Sequence, residues 1–146
     1  MLTEIYHYQR LSQQLSSSDM PTIRQLKAIA EAGVELVINL APHHVPNAIP
    51  NETQLAASLG MQYIDIPVNW NTLEDGLKSF MDVMDANSEK KIHVHCVANF
   101  RASAFITMYR ILRLGWEPDK AFEAMHNTWD KHTYPVWKMF AGDVMK

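Results

Sequence analysis

The chain has 146 residues, of which 47% are hydrophobic and 20% charged, with a net charge of −3. That length is enough to bury a core in one domain, here expected to span residues 1–146. The mild negative charge and lack of a basic cluster argue against a nucleic-acid surface, no apolar run reaches membrane-spanning length, and one cysteine excludes an intrachain disulfide.

In chain order, the polar patch Ser16-Ser17-Ser18-Asp19 reads as a loop. It leads into a helix with Ser18 or Asp19 as cap and Pro21 in the first turn. Ile23, Leu26, Ile29 and Ala30 share one face of that helix, and Gly33 stops it. Val34 to Leu40 is a β-branched, apolar strand, followed by a loop carrying Pro42, His43, His44, Pro46 and Pro50. Asn51 or Thr53 caps a helix reaching Leu59, with Gly60 as its end signal. Met61 to Val68 is the next strand, broken by Pro67. Thr72 to Asp85 is helical, with Leu73, Leu77, Phe80, Met81 and Met84 on its buried side. Lys91 to His95 is the central strand. Ala102 to Leu114 is a helix ended by Gly115, and two more helices lie near Pro118–Trp129 and Pro135–Met145. The aromatic set Trp116, Phe122, Trp129, Tyr134, Trp137 and Phe140 spaces as helical core. This alternation predicts an α/β fold, a single domain with a four- or five-stranded, mainly parallel sheet flanked by helices. Ligands in such sheets bind beyond the carboxyl ends of the strands.

Just past such an end stands Cys96, the only cysteine, in the run His93-Val94-His95-Cys96-Val97-Ala98-Asn99-Phe100-Arg101-Ala102-Ser103. A helix N-terminus presents unpaired N–H groups and positive potential, which stabilise a thiolate and attract an oxyanion. Arg101 adds a bidentate fork for phosphate or sulfate oxygens. A free thiol of this kind fits a reducing, cytoplasmic compartment, and Met1-Leu2-Thr3-Glu4 carries no leader pattern. His95 is expected to hydrogen-bond loop backbone, and His93 to be a packing position. Adjacent His43 and His44 suit one metal poorly, so no metal is expected; His44 is placed instead at the pocket as a contact for an anionic substrate.

Three segments carry a resemblance: Ala32 to Leu40, Leu59 to Val68, and His93-Val94-His95-Cys96 with the arginine loop. Together they resemble the protein-tyrosine and dual-specificity phosphatase superfamily, closest to its small bacterial branch. The resemblance implies a Cys96 thiolate nucleophile, a cysteinyl-phosphate intermediate, no cofactor and an aspartate as general acid. It also implies a phosphate-binding loop of Val97, Ala98, Asn99, Phe100, Arg101, Ala102 and Ser103. The partner it implies is a phosphorylated small molecule or a phosphoprotein.

Two departures stand out. Four residues separate Cys96 from Arg101, where the family has five, and Ser103 follows the arginine by two places. Either the loop is one residue shorter with Arg101 still on the anion, or Ser103 anchors the register and Ala102 takes the arginine position. Asn99 stands where the family favours glycine, and tolerates a left-handed backbone. The expected acid position is occupied by Trp70 or Asn71, so Asp75 or Glu74 is the candidate; both also suit the first turn of a helix electrostatically. Ser103 either caps N–H groups or donates to the Cys96 sulfur. A four-residue spacing also resembles rhodanese-like sulfurtransferases, which would place a persulfide on Cys96. A third alternative is a non-catalytic phosphate- or phosphoprotein-binding module.

Overall fold

The structure is a computed structural model that describes residues 5–41, 51–68, 73–96 and 100–126. The elements are β1 (Gln9–Arg10), β2 (Leu15–Ser18), α1 (Ile23–Glu31), β3 (Leu36–Asn39), α2 (Glu52–Ser58), β4 (Gln62–Asp65), α3 (Leu73–Ala86), β5 (Ile92–His95), α4 (Phe100–Leu112) and α5 (Pro118–His126). They form an α/β fold with one five-stranded sheet in the order β1-β2-β5-β3-β4. β1 pairs antiparallel with β2, and the other neighbours pair in parallel. β5 is thus the central strand, as expected. The chain forms two compact units, Met1–Ala102, which holds the sheet, and Ser103–Lys146.

In-register residues point to the same face of a sheet. Leu36, Ile38, Ile92 and Val94 make one face apolar and fully covered. The other carries Ser16, Ser18, Val37, Asn39, Tyr63, His93 and His95. Val37 on this face packs with Leu26 and Ile29 of α1 and Ala56 of α2. Along α3, Leu77, Phe80, Met81 and Met84 are buried, as the helical spacing requires. Ile23 departs from its expected side and is 52% exposed.

The patch Ser16–Asp19 is not a loop. Ser16 to Ser18 form β2 and pair with His93 to His95. Serine is a poor strand former, but here both inward hydroxyls are satisfied by one buried ring. Ser16 Oγ lies 2.7 Å from His93 Nδ1, and Ser18 Oγ lies 2.8 Å from His93 Nε2. Ser18 donates its hydroxyl proton to the Asp19 carbonyl at 2.7 Å. It therefore accepts from His93 Nε2–H, which leaves Nδ1 to accept from Ser16 O–H. The cap of α1 is accordingly not Ser18 or Asp19 but Thr22, which forms a capping box with Gln25. Gly33, at φ +93°, ends the helix in a conformation that costs other residues strain.

Burial, with the nearby His95 adding to it, pushes the His93 pKa from 6.5 down to about 3. Between those values the unfolded chain binds a proton that the folded chain excludes. Stability from this site is therefore full above about pH 6.5 and is lost as the pH falls toward 3, by at most about 1.4 kcal/mol per pH unit. Denaturant titration should give about 2 kcal/mol less stability at pH 5 than at pH 7 from this group. A His93→Asn chain should lose that part of the difference; an unchanged pH dependence would remove His93 as its source.

In the second unit, Thr107 Oγ1 donates to the Ser103 carbonyl at 2.8 Å, and the Arg110 guanidinium lies 4.2 Å from the Trp116 ring centroid. Trp116 therefore clasps an arginine in the α4–α5 connection rather than sitting on a helix as core. Trp129, Tyr134, Trp137, Phe140 and the expected helix near Pro135–Met145 lie outside the described residues.

Candidate active site

Cys96 directly follows β5, and α4 begins four positions later at Phe100. The helix starts two residues before the expected Ala102. Phe100, Arg101, Ala102 and Ser103 are thus the first turn of α4 and not loop; Val97, Ala98 and Asn99 lie outside the described residues. Arg101, an ordinary helix former, needs no irregular backbone here. The first-turn N–H groups lack acceptors within the helix, so the change relocates the amide donors without removing them. Ser103, as the fourth residue of the helix, is not its N-cap.

Cys96 is buried, with 0% of its surface accessible, rather than standing open at a pocket mouth. The β3–β5 ladder runs past its nominal end, with Leu40 N–H donating to the His95 carbonyl at 2.8 Å and Leu40 and Ala41 both buried beside it. Arg101 is half-buried. Burial pushes its pKa down, and the negative charge of Cys96 pulls it back up. The guanidinium therefore stands within electrostatic reach of the sulfur, which is the arrangement expected if Arg101 serves the anion site.

Behind Cys96 lies a hydrogen-bond chain. His95, fully buried, places Nε2 2.8 Å from Glu52 Oε2, and Glu52 itself is 5% exposed. Among the described residues His95 Nδ1 has no partner. The Glu52 carboxylate also accepts from the Tyr63 hydroxyl, whose pKa is pushed up by burial and by that carboxylate. Asn39 Nδ2 donates to the Tyr63 oxygen at 2.9 Å, and Asn39 Oδ1 accepts from Ala41 N–H at 2.9 Å. One helix residue thus ties together side chains from β3, β4 and β5 near the strand end that carries Cys96. Asn51 does precede α2 as expected, but in a left-handed conformation with no side-chain cap bond. His95 was expected to bond loop backbone; its recorded partner is a carboxylate.

Neither a family model nor a curated protein matches the chain. Among solved structures, a protein of Shewanella putrefaciens CN-32 described as a putative phosphatase (DUF442) is 36% identical, over 98% of this chain and 93% of that one, with a TM-score of 0.86. The chain belongs to the DUF442 family. TpbA of P. aeruginosa, solved in complex with phosphotyrosine, is 19% identical over 91% of this chain and 81% of its own, with a TM-score of 0.73. PTPMT1, solved in complex with PI(5)P, is 16% identical over 94% and 96%, with a TM-score of 0.67. The DUF442 chain therefore has the protein-tyrosine phosphatase-like fold that its sequence resembles.

Of the residues singled out by sequence, the DUF442 fold brings Cys96, His95 and Arg101 to one end of the central strand. Glu74 and Asp75 occupy the first turn of α3 and are exposed. His44 lies outside the described residues, and among the described residues no group of three His, Cys, Asp or Glu side chains is placed to hold a metal ion. Among the described residues no helix is long and apolar enough to cross a membrane. Glu52 was missed. In sequence it looks like an acid favouring a helix dipole, and only the need of a buried histidine for a partner points to it.

Proposed function

We propose that this DUF442 chain is a cysteine-dependent phosphatase acting on a phosphomonoester. The observation that carries the reading is the placement of Cys96 at the carboxyl end of the central strand, with Arg101 in the first turn of the helix that follows and near enough for the two charges to interact. Family membership supports it, because the DUF442 relative is described as a putative phosphatase. In this reading the Cys96 thiolate attacks phosphorus and the bond to the leaving oxygen breaks. Asp75, or Glu74 beside it, protonates that oxygen. Water then cleaves the cysteinyl phosphate and releases inorganic phosphate. Arg101 and the amides from Val97 to Ala102 hold the equatorial oxygens, whose charge is stabilised by donors already in place. Ser103 donates toward the sulfur as the phosphocysteine breaks down, and His44 contacts the substrate anion. The substrate is a phosphorylated small molecule or a phosphoprotein, and the compartment is the cytoplasm, where a free thiol persists.

The test is phosphate release from p-nitrophenyl phosphate by the full chain and by Cys96→Ser. Release lost in the variant supports the reading, and release that persists overturns it. Thiocyanate formation from thiosulfate and cyanide in place of phosphate release reassigns the chain to sulfur transfer. Saturable vanadate binding with neither activity reduces it to a binding module. A separate Asp75→Asn chain should lose about 10²-fold in kcat if Asp75 is the acid; an unchanged kcat assigns Asp75 to helix stabilisation alone.

A further inference from the structure

At the opposite end of the sheet lies a shallow cleft, open to solvent, with Tyr8, Arg10, Ser12, Gln13, Ser16 and Lys91 as its polar lining. Lys91 immediately precedes β5, whereas Cys96 immediately follows it. At about 3.3 Å per residue the two positions are about 16 Å apart. The cleft is therefore separate from the candidate active site. Its floor is apolar, including Ile29 and Val34.

Among the described residues the ionisable cations of this lining are Arg10 and Lys91, and no carboxylate belongs to it. Glu35 stands nearby, with one carboxylate oxygen accepting from the Lys91 backbone N–H at 3.1 Å. Lys91 Nζ donates to the Ala32 carbonyl at the end of α1, at 2.5 Å, and Arg10 Nε donates to the Ser12 carbonyl at 3.4 Å. Those bonds orient both side chains and use one donor of each, against three on an ammonium and five on a guanidinium. Tyr8 forms a fixed wall, its ring stacked on the buried His93 with centroids 6.0 Å apart and planes at 14°. Ser16 is held by its bond to His93 Nδ1. Two oriented cations over an apolar floor beside a fixed aromatic ring favour an anionic head on an apolar body.

The geometry points to a second binding site here, for a small ligand that bears an oxyanion, carboxylate or phosphate, on an apolar or aromatic body. Arg10 and Lys91 take the oxyanion, Ser12 and Gln13 supply further polar contacts, and Tyr8 with the apolar floor takes the body.

The experiment is a backbone-amide NMR titration of the full chain with two probes, benzoate and inorganic phosphate, repeated on Arg10→Ala and on Arg101→Ala. Saturable shifts of the Tyr8, Ser12, Gln13 and Lys91 amides are expected, at least about tenfold weaker in Arg10→Ala, and unchanged in Arg101→Ala. Tighter benzoate binding identifies a carboxylate site with an apolar body; tighter phosphate binding identifies a phosphate site. Linear, non-saturating shifts with both probes overturn the proposal, as does equal affinity in Arg10→Ala. Arg10 is exposed, so its replacement leaves the core untouched, and Arg10→Gln checks that charge rather than length is responsible. Failure of phosphate release elsewhere in the chain bears on the candidate active site and leaves these amide shifts unaffected.

Discussion

Arg101→Ala is expected to lower phosphate release by about 10³-fold in kcat/KM. The guanidinium carries a full positive charge that interacts with the charge of Cys96. A phosphoryl group in flight spreads negative charge over three oxygens, and a planar fork can hold two of them at once. Burial strengthens that interaction, because little water competes for the same oxygens. Arg101→Lys keeps the charge and loses the fork, so it should recover only part of the loss. Steady-state kinetics on p-nitrophenyl phosphate, beside a thermal melt of each chain, checks this. A fall below about tenfold in a folded Arg101→Ala chain returns the anion site to the alternative register in which Ala102 takes the arginine position.

Glu52→Ala should cost about 3–5 kcal/mol of stability, because it breaks a buried pair and leaves its partner in place. His95 would then have neither ring nitrogen bonded to a described residue, and the Tyr63 hydroxyl would lose its acceptor. The expected fall in melting temperature is about 10 °C or more for a chain of this size. Glu52→Gln keeps an oxygen that accepts from His95 and should cost less, since only the charge assistance is lost. Urea unfolding followed by circular dichroism measures both. A change below about 1 kcal/mol in Glu52→Ala would mean that the pair merely offsets its own desolvation. The activity readout adds a second axis: a Glu52→Gln chain that stays folded but alkylates Cys96 at a different rate shows that the chain of bonds sets the posture of the residue after His95.

Much of the fold was readable because the signals were local. Val34 to Leu40 is a β-branched run, Ile92 and Val94 alternate with histidines in a short strand, and Leu77, Phe80, Met81 and Met84 repeat with helical period. The candidate nucleophile was readable too, since a cysteine at a strand end ahead of a helix combines features that seldom coincide. The misread segments depend on distant partners. Ser16 and Ser18 are strand residues only because His93, 77 and 75 positions away, satisfies both hydroxyls. No local propensity encodes that. Glu52 is likewise ordinary until His95 is known to be beneath it. The start of α4 at Phe100 was hidden because the family resemblance draws the loop through Ser103, whereas the helix claims those residues as soon as their backbone can close its first bonds.

The carboxylate shared by His95 and Tyr63, with Asn39 one bond further out, carries a consequence for how such a sequence drifts. Changes at these positions should not be independent. A phenylalanine at position 63 frees one lone pair of the acid and strands the amide of Asn39, so it is tolerated best where residue 39 has also changed. A chain that has lost the acid at 52 is expected to have exchanged the histidine at 95 as well. Aligned relatives should therefore show these positions moving as a block, and pairwise double substitutions should recover stability that the single ones forfeit.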